Sequence, residues 1–119
     1  MEVKVVSVAG DVLRLKTEGR IGQVDLSLEG EPIERLLGRE VYSRKVLLAL
    51  EMSDYCDSMG LAWLLKCHKR FREAGGRFVM HSIPPLILQV MKILHLDRVF
   101  LLAADEQAAL ALVEREQPA

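Results

Sequence analysis

Long apolar runs, paired cysteines and blocks of like charge are all missing from this sequence. No stretch approaches the ~18 consecutive apolar residues that cross a bilayer, so no membrane association is expected. The opening Met1-Glu2-Val3-Lys4 lacks the charged-then-apolar form of a signal peptide, which points to a cytoplasmic location. The two cysteines, Cys56 and Cys67, have no CxxC spacing and read as reduced thiols. Lys and Arg number 16 against 17 Asp and Glu and are spread along the chain, which weighs against nucleic acid as a direct partner.

Catalytic motifs are missing too. His68, His81 and His95 fall on different elements, no HxH or HExxH occurs, and no metal site is expected. Neither Gly10-Asp11-Val12 nor Gly19-Arg20-Ile21-Gly22 matches a phosphate-cradling loop that opens a helix, so no cofactor is expected. Ser58 follows Cys56-Asp57 and lacks the glycine-serine-glycine elbow of a hydrolase. Asp54 and Asp57 in the same loop oppose deprotonation of its hydroxyl. The chain is read as a non-enzyme.

What is present is 119 residues, half of them hydrophobic, enough for one α/β domain over residues 1–119. Val3, Val5, Val6 and Val8 form one strand. Gly10-Asp11 turns the chain, and Leu13, Leu15 and Thr17 alternate with charged residues in a second strand, making a hairpin. Val24, Leu26 and Leu28 alternate as a short third strand. Glu31 to Gly38, with Pro32 at its start and glycine at its end, reads as a helix of about two turns. Arg39 to Lys45 reads as a polar connection carrying Tyr42.

Val46 to Leu50 is a strand short enough, and apolar enough, to be buried on both faces. A polar turn follows, then a helix from Ser58 to Ala74 closed by Gly75-Gly76. At 100° per residue, Leu61, Leu64, Leu65, Cys67 and Phe71 share one broad face, into which His68 points. Met59, Trp63 and Arg70 line its border on the side beside Ser58. Further on, Arg77 to His81 is a strand, Pro85 to His95 a helix with Leu88 outside its apolar face, and Arg98 to Leu102 a strand. Asp105 to Glu116 is a last helix with Ala108, Ala109, Leu112 and Val113 inward. Strands joined through helices are parallel, and the hairpin makes the sheet mixed.

The turn before Ser58 lies at the carboxyl end of a sheet strand, where open α/β sheets gather functional groups. Asp57 or Ser58 suits the helix cap. From these residues, Ser58 is either a capping serine or a hydroxyl placed to accept a phosphoryl group.

The run Asp57-Ser58-Met59-Gly60-Leu61, the Glu73-Ala74-Gly75-Gly76 ending, Arg77-Phe78-Val79-Met80 and a Pro-opened helix ending His95-Leu96 resemble the STAS domain of bacterial anti-sigma factor antagonists. The resemblance implies a single STAS-like domain, with a mixed four- to five-stranded sheet and helices packed mainly on one face. It implies a phosphorylation site at Ser58, and a partner that is both anti-sigma factor and serine kinase. The unphosphorylated chain would bind that partner and a serine phosphatase would reset the switch. Asp54, Asp57, Ser58, Met59, Trp63 and Arg70 are the expected partner-binding residues, and the chain itself is expected to be a monomer or weak dimer. Two positions depart from the family pattern: Met59 replaces a hydroxyl residue, and Gly22 stands where an acid is usual. The alternative is a non-switching scaffold in which Ser58 is only a helix cap.

Overall fold

The computed structural model of the chain describes residues 1–22 and 31–115. β1 (Glu2–Ala9) and β2 (Val12–Glu18) form the expected hairpin, with Gly10 at φ 62° in its turn and a register shift between Val5 and Ser7. The short strand expected at Val24–Leu28 lies outside the described residues. β3 (Lys45–Ala49), β4 (Arg77–His81) and β5 (Leu101–Ala103) complete one five-stranded sheet. Its strands stand in sequence order, β1-β2-β3-β4-β5. The first pair is antiparallel and the rest are parallel, as hairpin and helical crossovers require.

One face of the sheet carries α1 (Pro32–Leu37), α2 (Ser58–Ala74) and α3 (Pro85–Ile93); the other carries α4 (Glu106–Glu114). Two cores result. On the first face Leu13, Leu15, Val46, Leu48 and Phe78 meet Trp63, Leu64, Cys67 and Phe71 of α2. On the second, Val12, Leu47 and Val79 meet Ala109 and Val113 of α4. Leu47 and its neighbours Val46 and Leu48 are all buried, as a strand covered on both sides demands. Phe71 stacks on Phe78 at 4.9 Å and meets the edge of Tyr42 at 5.3 Å.

α2 has the expected limits, and Gly75 stops it in the left-handed region at φ 84°. Elsewhere tertiary context overrides the pattern. Residues Arg39–Ser43 are a 3-10 turn that buries Val41 and Tyr42, not a polar connection. α3 ends at Ile93, His95 takes a left-handed φ of 60°, and Leu96–Arg98 form a 3-10 turn, so the last strand begins at Leu101 instead of Arg98. On α3 only Ile87 and Met91 are buried, and Leu88 is more covered than Leu86. Ala108 is exposed and Leu112 only partly covered, because the short α4 turns Ala109 and Val113 alone fully inward. Leu65 is exposed: it lies about 130° round α2 from the centre of the Gly60/Leu64/Cys67/Phe71 stripe. Among the described residues no helix is long and apolar enough to cross a membrane.

Candidate functional site

The loop after β3 is held to the end of β2 by a short ladder of its own. Gly19 N–H donates to the Met52 carbonyl at 3.1 Å, Ile21 N–H to Tyr55 at 2.8 Å, and Asp57 N–H to Ile21 at 3.1 Å. A parallel bridge between Ile21 and Cys56 continues the β2–β3 pairing beyond both strands. Beneath it, the buried hydroxyls of Thr17 and Ser53 meet at 2.7 Å. These bonds, backbone and side-chain together, fix the loop that presents Ser58.

Asp57 is the N-cap of α2: its Oδ1 accepts from Gly60 N–H at 2.8 Å. Ser58 is the first helical residue, exposed, and free of the capping task. Met59 beside it is 44% exposed and Asp54 is exposed. Four of the six expected residues (Asp54, Asp57, Ser58 and Met59) are therefore together on one loop.

The other two are not. Trp63 is 0% exposed and donates through Nε1 to Glu31 Oε2 at 2.6 Å. Arg70 donates to Glu34 Oε1 at 3.2 Å, lies over the Tyr42 ring at 5.5 Å, and sits ~18 Å along α2 from Ser58. Around the helix Ser58 is about 140° from Trp63 and about 120° from Arg70. The border carrying Trp63 and Arg70 faces α1, whereas Ser58 is on the outer side.

Three residues that the sequence reading passed over join the loop. Tyr55 and Met52 are large, apolar and exposed within a polar stretch, and the Arg20 guanidinium lies 4.6 Å over the Tyr55 ring. Arg20, Gly22, Tyr55, Asp57 and Met1 line a cleft of about 360 Å³. A large aromatic in a run of turn residues is the signal that marks Tyr55; nothing local marks Arg20.

Two glycines of this wall leave no free space for a side chain, one against backbone and one against a carboxylate that can move. A Cβ on Gly60 would collide with the Ile21 carbonyl oxygen and come within 2.9 Å of Cys56 Sγ. A Cβ on Gly22 would run into the Asp57 carboxylate, 2.6 Å from its Cγ. The position that departs from the family's acid thus abuts the capping aspartate. Gly22→Asp is expected to push Asp57 off Gly60 N–H, costing about 1 kcal/mol of stability as a lost cap does. Thermal melting of that variant beside Asp57→Ala and the double variant checks it: the second substitution should add little, and fully additive losses would contradict the coupling.

Burial, helped by Asp57, pushes the Cys56 thiol up to about 11. Cys67, buried against Glu31, is pushed well above the usual thiol range. In the neighbouring loop, His81 Nδ1 and Ser82 Oγ are 2.8 Å apart, with Ser82 at φ 55°. Burial holds His81 below the ordinary histidine range, against the pull of Glu106, Glu51 and Asp105.

A family model for the STAS domain matches residues 4–109. Among solved structures, the chain is similar to an anti-sigma factor antagonist from Mycobacterium paratuberculosis, with TM-score 0.71, 20% identity and 96% of each chain covered. An anti-sigma-factor antagonist (STAS) domain protein from Planctomyces limnophilus gives TM-score 0.67 and 22% identity over 97% of this chain and 100% of that one. The anti-sigma factor antagonist SpoIIAA in its unphosphorylated form gives TM-score 0.62 and 15% identity over 96% and 99%. At these identities the likeness is one of fold.

Proposed function

The chain belongs to the STAS domain family, and on that premise we propose that it is an anti-sigma factor antagonist that works by switching partners. In this reading the unphosphorylated loop binds an anti-sigma factor that is also a serine kinase. Phosphorylation of Ser58 ends that complex, and a serine phosphatase restores it. The chain receives chemistry and performs none.

The observation that carries the reading is the division of labour at the start of α2. Asp57 holds the cap, which leaves the adjacent Ser58 exposed and not needed as the capping residue. A phosphoryl group there adds roughly −1.5 to −2 charges beside the Asp57 and Asp54 carboxylates. The helix amides offset part of this repulsion, but Gly60 N–H is already used by Asp57. The net effect falls on the surface potential of the loop more than on the fold. The exposed Met59, Tyr55 and Met52 of the same loop would form the partner's footing.

The test is incubation of the chain with a histidine-kinase-like serine kinase and ATP, read by intact mass. One phosphate is expected on the wild type and none on Ser58→Ala; incorporation that persists in the alanine variant rejects Ser58 as the acceptor. Ser58→Asp is expected to weaken binding to that kinase by roughly 1–3 kcal/mol, a factor of about 5 to 150. Unchanged affinity would instead favour a non-switching scaffold. In that scaffold Ser58 would not be the cap either, since Asp57 is.

A further inference from the structure

We infer that α3 is a self-association surface through which two copies of this chain pair in antiparallel fashion about Val90. This goes beyond the switching loop and does not depend on it. The surface is an apolar ridge left uncovered by every described element: Leu86 is 71% exposed, Val90 40%, Ile93 66% and Leu94 54%. Single exposed leucines are ordinary, whereas four neighbouring apolar residues make a patch of the size that is often functional.

The pattern of the ridge selects its occupant. Leu86, Val90 and Leu94 stand at intervals of four, with Leu94 N–H still bonded to the Val90 carbonyl at 3.1 Å, so they form one continuous ridge. Read in either direction it runs large, small, large. An antiparallel copy therefore sets each Leu86 against the other's Leu94 and brings the two Val90 side chains together at the twofold axis. The smaller residue at the crossing lets the two helices approach there. Such a self-complementary patch is what a twofold interface needs.

Charge does not oppose the contact. Within α3 only Gln89 and Lys92 are polar, and Lys92, its one charged residue, lies about 160° around the helix from Val90. The four residues expose on the order of 400 Å² of apolar surface. Two copies joined there bury on the order of 1,000 Å² with their rims, the size of a weak and reversible association.

Sedimentation equilibrium of the whole chain between about 10 µM and 1 mM tests the inference, the concentration range of a weak dimer. The weight-average mass should climb from that of one protomer towards twice that value. Leu86→Glu should hold it at one protomer throughout; at 71% exposure the substitution leaves the core untouched, and its melting curve provides the control. In parallel, Val90→Cys under mild oxidation should form a disulfide-linked dimer, whereas Asp97→Cys, exposed but off the ridge, should not. A wild type that stays monomeric at 1 mM overturns the inference, and leaves the ridge to a different protein. Self-association that survives Leu86→Glu, or an equal yield of cross-linked Asp97→Cys, overturns it as well. Ser58→Asp should dimerise like the wild type, which separates failure here from failure of the switch.

Discussion

Glu31→Ala is expected to lower the stability of the fold by about 3–5 kcal/mol, the cost of removing one partner from a buried polar network. Glu31 is 1% exposed, and five donors converge on its carboxylate. Oε1 accepts from Glu34 N–H at 2.8 Å and the Tyr42 hydroxyl at 2.7 Å. Oε2 accepts from Ile33 N–H at 2.9 Å, Trp63 Nε1–H at 2.6 Å and, more weakly, Cys67 Sγ at 3.5 Å. One side chain thus caps α1 and ties it to the 3-10 turn and to α2. Alanine leaves the indole N–H and the tyrosine hydroxyl buried with no acceptor. That penalty, more than the lost packing, sets the size of the effect.

The melting temperature should fall by roughly 10–25 °C. Glu31→Gln keeps one acceptor oxygen and the shape of the site, and should fall between alanine and wild type. Trp63 is the only tryptophan, so its emission reports on the same site. If Glu31→Ala melts within a few degrees of the wild type, the network does not hold this layer together. The pairing also raises the Tyr42 hydroxyl above the usual phenol range, through burial first and the Glu31 hydrogen bond second. Tyr42 should accordingly show no phenolate absorbance at pH 10 until the chain unfolds.

Gly60→Ala is expected to destabilise by about 2–4 kcal/mol, opposite in sign to what helix propensity alone gives. Alanine is worth ~1 kcal/mol more than glycine inside a helix. Here the added methyl meets a backbone carbonyl, Ile21, that cannot rotate away, because it accepts from Asp57 N–H in the ladder joining the two loops. Either that ladder breaks or the first turn of α2 shifts, and overpacking of this kind commonly costs 1–3 kcal/mol before the lost bonds are added. Denaturant midpoints with unchanged m-values measure the loss. Amide exchange at Ile21 and Asp57 should accelerate together. A variant as stable as the wild type or more so would mean that the close approach of Ile21 to α2 is wrong. Because the same turn carries Ser58, the substitution should also weaken partner binding without touching the hydroxyl.

The strands were legible wherever burial is one-sided or complete. The alternation at Leu13, Leu15 and Thr17 and the solid run Val46–Leu50 leave little choice of element, and Gly75 marks the helix stop because a left-handed residue is needed there. The start of α2 at Ser58 was legible from the polar turn that follows the central strand. Less visible was anything that depends on a partner distant in sequence. Trp63 looked like a border residue because a helical wheel weighs only its own helix. The acceptor that makes its burial affordable is 32 positions earlier, where Glu31 reads only as the start of a short helix. Arg70 was drawn to Ser58 by the same wheel, yet Glu34 and Tyr42 hold it on the other flank. The early start expected for β5 failed for a different reason: the left-handed His95 and the 3-10 turn after it consume residues whose composition suits a strand.

Strand order has a bearing on how the protein is made. Because β1 to β5 lie side by side in the order of synthesis, each strand leaving the ribosome finds its neighbour already in place, and the sheet can grow from one edge. The first face is roofed as it grows, by α1, α2 and then α3. The second waits: Val12, Leu47 and Val79 stay uncovered until the last helix brings Ala109 and Val113 over them. The nascent chain therefore carries a bare apolar face until α4 has been made. Docking of α4 is the step that ends the exposure of that face.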